Sequence, residues 1–284
     1  MKELFELEWM GEAAEHHFRK AKHVPDLPWG SLNSDDYDPD VLVAARATWT
    51  RSSLTEYRAI AGFTEILRAA TEAKVPLDII GMASTFVADE VVHVELASRM
   101  AMELGGGTPL YTDLDDLFMR ADPKLTAFQR ANEMVLRVSC IAEAYSGRMA
   151  IKSYEGTTHP LTRAVLETIN ADESLHYRLG GIYFDWACDR LTDEERQRLA
   201  GIALSTLRAY SPRTPKAPDP TAIGRRKATL AQIRDIGWIE TKHFEPYIQD
   251  AVYKGIVAPL ESYGLPLDKM ELEKLFGAPK PISP

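Results

Sequence analysis

Apolar positions recur at steps of three and four through most of this chain, the spacing that puts them on one face of a helix, and no stretch alternates as a strand would. Met1 to about Lys22 reads as an amphipathic helix, followed by a Pro- and Asp-rich loop from Val24 to Pro39. The pattern then predicts four long helices: about Asp40 to Lys74, Leu77 to Leu104, Leu125 to Tyr154 and Leu161 to Asp189. Pro76 separates the first two, Gly105-Gly106-Gly107 and Pro109 stop the second, and Gly156 and Pro160 mark the turn into the fourth. Thr192-Asp193-Glu194-Glu195 reads as a capping box opening a fifth helix. Pro212, Pro215, Pro218 and Pro220 predict an extended segment, before one or two further helices and an irregular tail from Gly277. The expectation is an all-α protein with one domain over 1–284. Its core bundle covers about 40–190, with an N-terminal helix and loop over 1–39 and a helical extension over 191–284.

Within that pattern one short motif occurs twice, as Asp89-Glu90-Val91-Val92-His93 and Asp172-Glu173-Ser174-Leu175-His176. A carboxylate and an imidazole three residues apart share a helix face, so each copy can grip one side of a metal ion. Two such grips facing each other would hold two ions, and two ions need further carboxylates from the other helices. Steps of three, four and seven from Glu56 meet Trp49, Ser52, Ala59, Ile60, Phe63 and Leu67, an apolar stripe, so Glu56 points inward. The same steps from Glu65 meet Arg58, Ala61, Arg68 and Glu72, a solvated face. On the third helix Glu143 lies among Leu136, Cys140, Ser146, Gly147 and Ala150, whereas Arg130, Asn132 and Arg137 give Glu133 a wetter setting. The spacings agree: 34 residues separate Glu56 from Glu90 and 30 separate Glu143 from Glu173, each with the turn near the middle. Helices advance about 1.5 Å per residue, so antiparallel pairs bring these side chains to similar depths. The 53 residues from Glu90 to Glu143 leave room for a crossover. Burying four carboxylates with no cation would cost several kcal/mol per ion. Oxygen and imidazole donors suit iron, with manganese and zinc as rivals.

Composition narrows the function. The 284 residues are 45% hydrophobic and 26% charged, enough for a substantial core, and 33 Lys+Arg against 42 Asp+Glu leave a net charge of −9 that opposes a basic nucleic-acid surface. Arg225-Arg226-Lys227 is too short a basic run to change that. No uncharged apolar run reaches 18 residues, so no membrane span is expected. Met1 to Met10 interleaves charges and lacks a leader pattern. With only Cys140 and Cys188 there is no disulfide framework, and a cytoplasmic location is the expectation. Glu240-Thr241-Lys242-His243 also reads E-x-x-H, but it lacks the Asp and precedes Pro246, so it is not expected to ligate. His16 and His17 belong to a solvated face, and Tyr145, Tyr177, Tyr183, Phe86, Met100 and Met102 fit ordinary core.

On Glu56, Glu90, His93, Glu143, Glu173 and His176 the chain resembles the ferritin-like di-iron carboxylate superfamily over about residues 40–190, and within it the dioxygen-activating oxygenases. The resemblance implies a ferritin-like four-helix bundle holding two Fe ions, or a Mn/Fe pair, with Glu90 and Glu173 bridging. It also implies that Asp89 and Asp172 orient the histidines, Asp89 with His176 and Asp172 with His93. Ser146 resembles the hydroxyl that oxygenases place beside the O2 site. Subfamily marks are missing: Ala97 stands where ribonucleotide reductases carry a radical Tyr, and Ile169 stands where arylamine N-oxygenases carry an extra His. The implied activity is O2-dependent oxidation of a small or carrier-bound organic substrate by hydroxylation, N-oxygenation or desaturation. No flavin or nucleotide motif occurs, so electrons would come from a reductase, a ferredoxin or peroxide; a homodimer is compatible. The alternatives are a ferroxidase or peroxide-scavenging ferritin-like protein and a tRNA hydroxylase.

Overall fold

The computed structural model describes residues 2–213, 232, 235–237 and 241–279. It is 73% helical and 2% strand, which makes the protein mostly α. The long helices are α2 (Pro39–Glu72), α3 (Leu77–Glu103) and α6 (Pro160–Ala187). A fourth rod is composite: α4 (Ala127–Val135), a π-helical segment (Leu136–Glu143) and α5 (Ala144–Gly156). α2 packs on α3 and α4, α3 on α6, and α6 on the π segment and α5. The ends follow local rules. Asp38 accepts the Asp40 N–H at 2.8 Å with Pro39 in the first turn, and Gly105 and Gly106, both at positive φ, close α3.

The N-terminal region departs from the sequence reading. Helix α1 covers only Glu12–Ala21, because Gly11 at φ 78° breaks the backbone before it. Ahead of it β1 (Lys2–Leu4) pairs antiparallel with β2 (Tyr111–Asp113), Lys2 opposite Asp113. Three-residue strands are too short to show alternation. The capping box lies elsewhere too. Thr126 and Gln129 exchange both bonds, Thr126 N–H to Gln129 Oε1 at 3.0 Å and Gln129 N–H to Thr126 Oγ1 at 3.2 Å. Thr192 accepts the Glu195 N–H at 3.2 Å, but the Glu195 carboxylate turns to Arg198 and Asn132 instead. After α7 (Asp193–Tyr210) come α8 (Thr241–Val252), a second π segment (Tyr253–Val257), α9 (Ala258–Ser262) and α10 (Lys269–Phe276). Pro215, Pro218, Pro220 and Glu240 lie outside the described residues.

The apolar core is in two parts. Phe63, Phe86, Ile141, Leu179 and the C-terminal helices form one, and Trp49, Val92, Leu96, Val165 and Ile169 belong to the other. Where the two parts meet, α2, α3 and α6 carry polar residues: Glu56, then Glu90 and His93, then Glu173 and His176. Expectations also fail at single residues. Met102 is exposed, unlike buried Met100, and Glu133 is buried, held by Arg137 at 3.3 Å and Arg198 at 2.7 Å. Among the described residues no helix is long and apolar enough to cross a membrane.

Candidate metal centre

Glu90 and His93 on α3 and Glu173 and His176 on α6 are buried at the centre of the molecule. Each offers a ligand atom, and these four atoms lie within 4.8 Å of one another. The two imidazoles are oriented alike. His93 turns Nδ1 toward Glu90 (3.4 Å) and Glu173 (3.5 Å), and Nε2 toward Asp172 (3.5 Å). His176 turns Nδ1 toward Glu90 (2.9 Å) and Glu173 (3.9 Å), and Nε2 toward Asp89 (3.3 Å). In each ring Nε2 is the nitrogen that can donate to an aspartate, which leaves the Nδ1 lone pair for the centre. The arrangement pairs Asp89 with His176 and Asp172 with His93, each aspartate serving the histidine of the opposite helix.

Glu143 is buried at the end of the π segment, its Oε2 4.0 Å from His176 Nδ1. Glu56, on α2, is the sixth: the Glu90 charge acts on its carboxyl, and Ser52 donates a long 3.5 Å bond to its Oε1. Glu56 and Glu143 stand outside the tight group of four, at its flanks. π-helical segments, with i→i+5 bonds, are frequent at functional sites, and this one ends on Glu143. The helix expected over Leu125 to Tyr154 is therefore not uniform. No residue type in Leu136–Glu143 announces the π geometry.

The electrostatics are those of a cluster built for cations. Burial, with the Glu90 charge added, pushes the Glu56 and Glu143 carboxyls well above the usual carboxylate range, and burial with the Glu143 charge does the same to Glu173. Burial also opposes ionisation of Glu90, but the two imidazoles outweigh it and bring that carboxyl down to about 2. Both imidazoles are raised against the effect of burial: His93 by Asp172 and Glu90, and His176, by Asp89 and Glu90, to about 9. Both Glu90 oxygens, both His93 nitrogens, His176 Nδ1 and Glu173 Oε2 are buried with no hydrogen-bond partner. Although His176 Nδ1 and Glu90 Oε1 are only 2.9 Å apart, neither has a partner of hydrogen-bonding geometry. Apart from His93 Nε2, which faces Asp172 at 3.5 Å, these atoms face a common centre. Buried polar groups are otherwise almost always satisfied, so this donor set fits a metal ion.

Lys22 was not legible in the sequence. It is the residue that ends α1, and its ammonium reaches both orienting carboxylates, Asp89 and, at 3.3 Å, Asp172. It stays charged despite partial burial because those two carboxylates hold its proton. No spacing in the sequence connects position 22 with 89 and 172.

A cavity of about 550 Å³ opens beside the cluster. Glu56, Glu143 and Glu173 face it, and Trp49, Val138, Tyr145, Leu166, Ile169 and Tyr210 contribute apolar wall. Ser146 also lines it, with its hydroxyl donated to the Ala142 carbonyl at 2.9 Å. Tyr145 lines the cavity with its ring tilted 43° against Tyr210, centroids 4.6 Å apart, whereas Tyr183 is deep core. His16 and His17 are exposed, as expected of a solvated face, but Tyr177 is not core: it points outward from α6 and is 43% exposed. Comparison of the chain with models of protein families, with curated proteins and with solved structures returns no match.

Proposed function

We propose that this protein is a non-haem di-iron oxygenase, a ferritin-like bundle that uses O2 to oxidise a small organic molecule. The observation that carries the reading is a buried group of carboxylate and imidazole atoms, lacking hydrogen-bond partners, set against a cavity of about 550 Å³. Two iron ions would be held by Glu56, Glu90, His93, Glu143, Glu173 and His176, with Glu90 and Glu173 shared. Bound iron would supply the redox chemistry by which O2 becomes an oxidant, with electrons from an external reductase, ferredoxin or peroxide.

The chain's own residues supply the rest. Asp89 and Asp172 hold one tautomer and one orientation of each imidazole, which strengthens the ligands and keeps them from rotating away. Three of the carboxylates front the cavity while Glu90, His93 and His176 are sealed behind them, so a substrate has access from one side only. The apolar wall keeps water from the reacting region, and the volume lies in the range of small-molecule sites. An organic-sized apolar chamber favours a substrate oxygenase over a ferroxidase, which needs only a path for ions. The net charge of −9 disfavours tRNA as substrate.

Metal analysis of the purified chain beside Glu90→Ala and Glu173→Ala tests the centre. The expected result is two ions per chain in the parent and loss of both in either variant, with helical content retained by circular dichroism. Anaerobic reduction followed by O2 should then give oxidation of the bound iron. A parent protein that stays metal-free after iron loading, or a Glu90→Ala protein that keeps both ions, ends the reading.

A further inference from the structure

Among the described residues one cation lines the cavity: Arg58. The periodicity of α2 had put it on a solvated face, but it is only partly exposed. Its Nη2 donates to Thr112 Oγ1 on β2 at 3.3 Å, and its Nε is buried with no hydrogen-bond partner. No described carboxylate forms an ion pair with it, in a chain where acids outnumber bases 42 to 33. Several arginines here are braced by acids, as Arg68 is by Glu65 and Glu72, and others, such as Arg46 and Arg163, bond carbonyl or hydroxyl oxygens; what sets Arg58 apart is its place on the cavity. Three carboxylates share the cavity with Arg58, yet none pairs with it: Glu173 and Glu143 turn to the imidazoles, and Glu56 accepts from Ser52. With two divalent cations bound, the four metal-facing carboxylates are neutralised, and the guanidinium remains the uncompensated charge of the chamber.

We infer that Arg58 is the anchor for a carboxylate on the substrate, so that the molecule oxidised is an amphipathic organic acid with an apolar body. This rests on the reading of the cavity as the substrate site. A guanidinium presents a fixed fork of donors that matches a carboxylate, and a partly desolvated one with free donors gains most from such a partner. The walls fit the body of the molecule: Trp49, Tyr145 and Tyr210 offer aromatic faces, and Leu166 and Ile169 aliphatic ones. Glu56 and Arg58 are two residues apart on α2, about 3 Å along the axis and about 200° around it. The two side chains therefore leave α2 in different directions, and an acid group held at Arg58 leaves a carbon remote from the carboxylate to reach the end of the cavity where Glu56, Glu143 and Glu173 lie.

The test uses the full chain, metal-loaded and metal-free, titrated calorimetrically with ω-phenyl carboxylic acids from benzoate to 6-phenylhexanoate and with the matching amides. The expected result is that at least one acid binds about ten-fold or more tightly than its amide, the scale of a charge-assisted hydrogen bond. Arg58→Gln removes that preference, with amide affinity and metal content unchanged. Arg58→Lys retains part of it and serves if the glutamine variant does not fold. Equal affinities for acid and amide, no binding of any acid to the parent, or a preference that survives in Arg58→Gln each overturn the assignment. The last would mean that the acid ligates the metal. Because the comparison is repeated metal-free, failure of the metal centre and failure of the anion anchor give different patterns.

Discussion

At the level of single residues, Lys22 ties together two groups that otherwise never meet. Asp89 and Asp172 each orient one imidazole, on α6 and α3 respectively, and one ammonium from outside the four rods touches both. Removing it leaves two carboxylates facing each other at the rim of the centre, where they repel and lose their common position. Groups one step behind a metal ligand commonly change affinity ten- to a hundred-fold. Lys22→Met should therefore weaken metal binding by about ten-fold, measured by competition with a chromophoric chelator, and Lys22→Arg should stay near the parent. Parent-like affinity in Lys22→Met would reduce the contact to a surface brace. The ligand candidates themselves were legible because carboxylates on an apolar stripe contradict burial unless something neutralises them. Lys22, by contrast, sits on a helix with no buried residue, where a lysine gives no sign of its partner.

At the level of elements, the π segment sets where Glu143 points, and two glycines make room for it. Val138 comes against Gly62 of α2, where a Cβ would lie 3.2 Å from its methyl, and Cys140 comes against Gly180 of α6. A Cβ at Gly180 would meet Cys140 Sγ at 2.4 Å and its backbone N at 3.2 Å. The sulfur can rotate away, but the backbone cannot without unwinding the segment. Gly180→Ala should cost about 1–3 kcal/mol, the usual range for overpacking, seen as a lower denaturation midpoint with unchanged slope. Adding Cys140→Ala should recover only the side-chain part. Full recovery, or no loss in Gly180→Ala, would show that the segment has slack. Tertiary close approach of this kind is why the π geometry was illegible: Leu136–Glu143 reads as ordinary helix, and only its neighbours select the extra turn. The β1–β2 pair was missed for a related reason, since three exposed residues acquire strand geometry from a partner more than a hundred positions away.

At the level of the molecule, the four rods were readable because each carries a long apolar stripe between strong terminators. The docking of the C-terminal helices was not, because it depends on a buried polar network that crosses elements. Tyr183 on α6 donates to Asn132 at 2.7 Å, and Asn132 donates to Glu195 on α7 at 3.1 Å. Arg198 reaches both Glu195, at 2.8 Å, and Glu133, at 2.7 Å. Burial alone would raise the Glu195 carboxyl, but Arg198 and Asn132 outweigh it and hold it below its ordinary value of 4.5. A carboxyl depressed in the folded state binds its proton less readily there than when unfolded, so it adds stability that is complete above the unfolded value and disappears as pH falls through the folded one. Glu195→Gln should accordingly melt below the parent at neutral pH, and the gap should narrow as pH drops below about 4.5. The titratable groups of the candidate centre add a pH dependence common to both proteins, so it is the difference between the two melting curves that isolates Glu195. A gap that stays constant from neutral pH down to about pH 3 would mean that Glu195 acts through packing, and that charge plays no part in fastening α7 to the bundle.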